Sequence, residues 1–177
     1  MSKTLKVTLD YSLIIEAVKA DTFISGQADR AADGSNNSKV FNETIGDESL
    51  HKRKLDRTMR GALGSLEAFM VDFVDNAAES SISDTLSATT STSFEISFKI
   101  NDRFNTGLAY AIAQLMQEYI INKMLCLWWA PVPDKKNDVS QYLTLANESL
   151  ANIRRCLQKT APATSASSYD DIQGSIS

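Results

Sequence analysis

The run from Asn101 to Trp129, closed by Ala130-Pro131-Val132-Pro133, constrains this chain more than any other stretch. Leu108, Ile112, Leu115, Met116, Tyr119, Ile120, Met124, Leu127 and Trp128 recur at helical spacing and form one wide apolar face. Ala109, Ala111 and Ala113 keep the early turns slim, and Asn101 or Asp102 is the expected cap. Proline lacks the backbone donor a helix needs and restricts the residue before it, so the helix must stop ahead of Pro131. After Lys135-Lys136-Asn137 another helix is expected from near Asp138, carried by Val139, Tyr142, Leu143, Ala146, Leu150, Ile153 and Leu157. So short a connection makes the two helices antiparallel neighbours.

Upstream, Lys3 to Leu9 alternates apolar and polar residues, which predicts a short strand or an extended arm. From Asp10, a suitable N-cap, the period changes, and a first helix of roughly 15 residues is expected. Gly26 to Gly46 reads as irregular and is long for a compact domain. It is either a surface excursion or a loop that grips a partner through Val40 and Phe41. The second helix should start near Asp47 or Ser49. Its stripe is Leu55, Met59, Ala62, Leu63, Leu66, Phe69, Met70, Phe73, Val74 and Ala77. Gly61 and Gly64 each cost about 1 kcal/mol relative to alanine there. The expected gain is close approach of a neighbouring backbone, or a hinge.

Phe94, Ile96, Phe98 and Ile100 then alternate with Glu95, Ser97 and Lys99 behind a Ser/Thr-rich run. Residues 83–100 therefore read as a β-hairpin turning near Thr90 to Thr92. Two strands alone are marginal, so its apolar face has to pack on a helix, on Leu5-Val7-Leu9, or on another subunit. Residues 160–177 are rich in Ala, Ser and Thr, with Tyr169, Ile172 and Ile176 as their few anchors. The expected fold is mainly α: a four-helix bundle with a β-hairpin, a short N-terminal strand or arm, and an extended C-terminal tail. One domain covers 1–159, and the tail covers 160–177.

A chain of 177 residues, 43% of them hydrophobic, suits one domain with a real core. The net charge of −4 argues against wholesale coating of nucleic acid. No apolar run reaches the roughly 18 residues that span a bilayer, and the N-terminus lacks the apolar core of a signal peptide. The expectation is a soluble protein made in the cytoplasm, without membrane contact. Cys126 and Cys156 fall near opposite ends of the helical hairpin, about 25 Å apart at 1.5 Å per residue. That is well beyond the roughly 7 Å a disulfide tolerates, so both should stay reduced as small core residues.

Chemistry is sparse. The single histidine, His51, sits among Lys52, Arg53 and Lys54 and reads as solvated, and with two distant cysteines it cannot build a zinc site. Glycine-rich phosphate loops and nucleophile motifs are absent. No enzyme, metal or cofactor is expected. Arg53, Arg57 and Arg60 recur at i, i+4 and i+7 as a basic stripe that could face DNA phosphates or an acidic partner. Its bland alternative is a solvated face with Glu48–Lys52 and Asp56–Arg60 pairs. Trp128 and Trp129 point about 100° apart on a helix, so they cannot share one face. Trp129 is read either as cover for the proline turn or as an anchor for a partner.

The order of short strand, helix, long loop, long helix, β-hairpin, helical hairpin and tail resembles the head–tail connector, or neck adaptor, proteins of tailed bacteriophages. The stretch from Tyr110-Ala111-Ile112-Ala113-Gln114-Leu115 through Trp128-Trp129 to Ile153-Arg154-Arg155 is similar to small proteins encoded by Bacteroides phages. The resemblance implies a virion structural protein, made in the host cytoplasm, that forms a homo-oligomeric ring. It implies contacts with portal or tail components and DNA passing through a lumen. Val40, Phe41, Phe94, Phe98, Trp129, Tyr169 and Ile172 are the candidate subunit contacts. The alternatives are a cytoplasmic helical-bundle regulatory or ligand-binding protein without enzymatic activity, and a nucleic-acid binder acting through the arginine stripe.

Overall fold

The computed structural model describes residues 2–33, 45, 49–74 and 93–159. Alternation in the first residues produces strand β1 (Ser2–Asp10). Its partner comes from the middle of the chain. Strand β2 (Ser93–Asn101) runs antiparallel to it, with Leu5 opposite Phe98, Val7 opposite Ile96 and Leu9 opposite Phe94. Val7, Leu9, Ile96, Phe98 and Ile100 are buried and join one core, which supplies the cover that two strands need. The outer face carries a Lys6–Glu95 ion pair at 2.7 Å, too exposed to stabilise much. The other arm of a local hairpin, 83–92, lies outside the described residues. On that edge of β2, Val74 bridges Phe98, and the Lys99 amide donates to the Phe73 carbonyl at 2.6 Å.

Helix α1 (Tyr11–Asp33) begins where Asp10 caps it. The Asp10 carboxylate accepts from the Ser12 hydroxyl at 2.6 Å and the Ser12 amide at 2.7 Å, and these bonds hold its pKa below the ordinary value. The helix runs past Gly26 into the stretch expected to be irregular. Gln27, Ala28, Arg30, Ala31 and Ala32 are good helix formers, and their propensity outweighs one glycine. Val40 and Phe41 lie outside the described residues.

Helix α2 (Ser49–Met70) buries Leu55, Met59, Ala62, Leu63, Leu66 and Met70, as its stripe predicts. It stops earlier than expected. The amides of Phe73 and Val74 both bond to the Met70 carbonyl, at 2.8 and 3.1 Å, and turn the chain toward the β2 edge. Phe69 leaves the stripe for a partly exposed position beneath Arg154, whose guanidinium lies 5.4 Å from its ring and pairs with Asp72 at 3.1 Å. The glycines do not mark a tight backbone approach. A Cβ at Gly61 would meet Leu127 at 3.5 Å, an ordinary contact, and at Gly64 it would meet nothing within 4 Å.

The long helix begins later than its pattern suggests. The Asn101 side chain accepts from the Arg103 amide at 2.9 Å and makes a turn instead of a helix cap. Phe104 is buried there, and Asn105 caps a short 3-10 turn at Thr106–Leu108 by accepting from the Gly107 amide at 3.1 Å. Helix α3 (Ala109–Trp129) then runs to the proline turn. Helix α4 (Lys136–Gln158), led in by a 3-10 turn at Pro133–Lys135, folds back along it. The sheet, α1 and α2 also lie against α3. Enclosed this way, α3 buries residues on several sides, Trp128 and Trp129 among them. Cys126 and Cys156 are both free, and burial raises the pKa of the Cys126 thiol, against a smaller opposing pull from Lys123.

Candidate interaction surfaces

Three places on this body carry polar side chains in positions that packing alone does not explain. The first is the basic stripe of α2, which the structure divides. Arg60 pairs with Asp56 one turn back and is half-buried. Lys54 turns inward. Its ammonium donates to the Trp128 carbonyl at 2.8 Å and lies 4.0 Å over the Trp128 ring, so α2 caps the C-terminal end of α3. Burial lowers the Lys54 pKa, and Arg57 lowers it further. His51 stands edge-on to the same indole at 5.5 Å and is half-buried, not the solvated residue its neighbours imply. Lys52, Arg53 and Arg57 remain exposed.

The second place is the proline-turn end of the bundle. Trp129 lies over the turn, with its ring 5.1 Å from that of Tyr142 and its carbonyl accepting from the Val132 amide at 2.8 Å. Lys135 is buried beside it. Its ammonium donates to the Ser25 hydroxyl at 2.8 Å, meets Asp138 at 3.3 Å and lies 5.5 Å from the Trp129 ring. Asp21 and Tyr142 complete the cluster. Burial raises the pKa of the Asp21 carboxyl. Burial also raises that of the Tyr142 phenol, reinforced by Asp21 and Asp138 and opposed by Lys135. The Trp129 indole N–H is buried without a hydrogen-bond acceptor.

The third is a groove of about 410 Å³ where the end of β1 and the start of α1 meet α3. Leu9, Leu13, Tyr110, Ala113 and Ile121 give it an apolar lining, and Asp10 and Glu118 add two carboxylates. Leu13 is 54% exposed and Tyr110 79% exposed.

No family model, curated protein or solved structure matches this chain. Among the described residues no group of three or more His, Cys, Asp or Glu side chains could hold a metal. None of the described helices is long and apolar enough to cross a membrane.

Of the expected subunit contacts, Phe98 and Trp129 are corrected. Phe98 is fully buried between β1 and the core, and Trp129 is 1% exposed over the proline turn, so neither is available to a partner. Phe94 is half-buried opposite Leu9 at one end of the sheet. Val40, Phe41, Tyr169 and Ile172 lie outside the described residues. Reasoning from the sequence missed Lys135, which stands beside a second lysine in a polar connection, and the outward turn of Leu13. Leu13 and Ile14 are adjacent and about 100° apart on a helix, so only a wide buried face takes both, and the sequence alone does not say which of them turns outward.

Proposed function

We propose that this protein is a structural subunit of a homo-oligomeric assembly, and specifically a head–tail connector of a tailed-phage virion. One observation supports the assembly part above others. Leu13, Phe23 and Ile24 are 54%, 56% and 65% exposed on α1, a helix that already buries Ile14 and Val18 in the core. Phe23 and Ile24 are chain neighbours, Leu13 lies about 15 Å along the same helix, and large apolar side chains left exposed along one helix are candidates for a contact surface.

The connector part draws on the resemblance of the sequence's element order to that of neck adaptors; the described strands, the helices before and after β2, and the helical hairpin are compatible with it. In this reading the partners are copies of the chain and neighbouring portal or tail components, with DNA passing through the lumen, in the virion. Negative-stain imaging of the purified full chain tests it. Closed rings with a central opening are expected; fields holding only particles of single-subunit size count against it.

The groove favours a second reading, a cytoplasmic regulatory or ligand-binding bundle without enzymatic activity. Its volume falls within the range of small-molecule sites. That reading predicts a monomer or a dimer.

A further inference from the structure

We infer that the groove beside Tyr110 receives the Leu50–Arg53–Arg57 face of α2 from a second copy of this chain, joining copies head to tail. The inference rests on the reading of the protein as an assembly subunit and names the contact that builds it.

The two surfaces complement each other in charge and in apolar character. The groove sets Asp10 and Glu118 around an apolar lining that includes Leu13 and Tyr110, and no lysine or arginine lines it. On α2, Leu50, Arg53 and Arg57 fall at i, i+3 and i+7 and therefore share one helix face. Leu50 is 69% exposed, and both arginines are exposed. Arg53, Arg57 and Glu118 make no ion pair with any described residue. An amphipathic helix face entering an apolar groove is a recurrent mode of recognition, and here the rim charges are opposite in sign. The Tyr110 ring also offers its face to an incoming guanidinium.

Within one chain the two surfaces stand apart. The Lys54 bond to the Trp128 carbonyl holds the start of α2 at the C-terminal end of α3. The groove is lined from Tyr110 to Ile121, nearer the other end. Glu118 precedes Trp128 by ten residues, about 15 Å along a helix axis. That exceeds the screening length of about 8 Å at physiological salt, so the charges do little for one another inside one subunit. Between copies, each subunit can give its ridge to one neighbour and its groove to another. A contact between unlike patches repeats, and it closes into a ring when the rotation allows.

Sedimentation velocity on the full chain at low ionic strength tests this with two variants, Glu118→Lys and the double variant Arg53→Glu, Arg57→Glu. All three positions are exposed, and Asp10 stays intact because it caps α1. Each variant alone should weaken self-association at least about tenfold, with circular dichroism and thermal midpoint unchanged. An equimolar mixture should restore association, because each reversed surface then meets a surface of opposite sign. Glu118→Gln should weaken association less than Glu118→Lys.

If both variants assemble like the wild type, the contact is wrong and the assembly reading survives. If the wild type is monomeric throughout, the assembly reading fails and the contact falls with it. If the arginine variant loses only affinity for duplex DNA, the ridge serves nucleic acid and the inference is overturned.

Discussion

Lys135 ties the proline turn to two helices through one ammonium, bonded to Ser25 of α1 and paired with Asp138 of α4. Removing the charge while keeping the stem, as in Lys135→Met, should cost about 1–2 kcal/mol, since Ser25 and Asp138 are near enough to water to be resolvated. Lys135→Ala also empties the space the stem fills and should cost more; denaturant titrations of the two variants compare them. Asp21 acts in the opposite sense. Burial raises its pKa, so the folded chain holds a proton at a pH where the unfolded chain has released it. Folding therefore loses stability as pH rises from the ordinary carboxylate range through the raised value. Asp21→Asn should stabilise the protein at neutral pH, and the gain should vanish below that range. Thermal melts against pH check this, and the Tyr142 phenol should titrate lower in the same variant, because a carboxylate that raises its pKa is gone.

Among the elements, α2 offers the cleanest test. Gly64 spends a helix position on flexibility with nothing near its Cβ site. Gly64→Ala should stabilise by about 0.5–1 kcal/mol, through a less flexible unfolded chain and better helix propensity. For a domain of this size that is an upward shift in the thermal midpoint of about 1–4 °C. The period of the apolar residues made α2, α3 and α4 legible, and alternation made both strands legible. Termini were harder. The Asn101 side chain can cap a helix or close a turn, and only the burial of Phe104 decides for the turn. Pairing was harder still. Alternation says which face of β2 is buried but not which strand lies beside it, and β1 comes from the far end of the sequence. Trp129 reads from the sequence as cover for the proline turn or as a partner anchor, and its burial fits the first. Helical geometry separates it from Trp128, but α3 is enclosed on several sides, and α4 covers the second face.

At the scale of the whole molecule, α3 is the spine on which the sheet and the other helices pack. The candidate surfaces were less legible than the fold. The arginine stripe was readable by spacing, but its division into an inward Lys54, a paired Arg60 and an outward Arg53 and Arg57 depends on where Trp128 and Asp56 lie. The groove unites residues from three elements, and no local pattern announces it. The exposed surface includes large apolar side chains on α1, arginines on α2 and carboxylates around Tyr110, a distribution suited to contact between copies. The most direct test is the mass of the full chain in solution, by light scattering or native mass spectrometry at low ionic strength. A defined multiple of the 19.5 kDa subunit is expected, giving way to smaller species as salt rises. A single species of 19.5 kDa at every concentration and salt would contradict it.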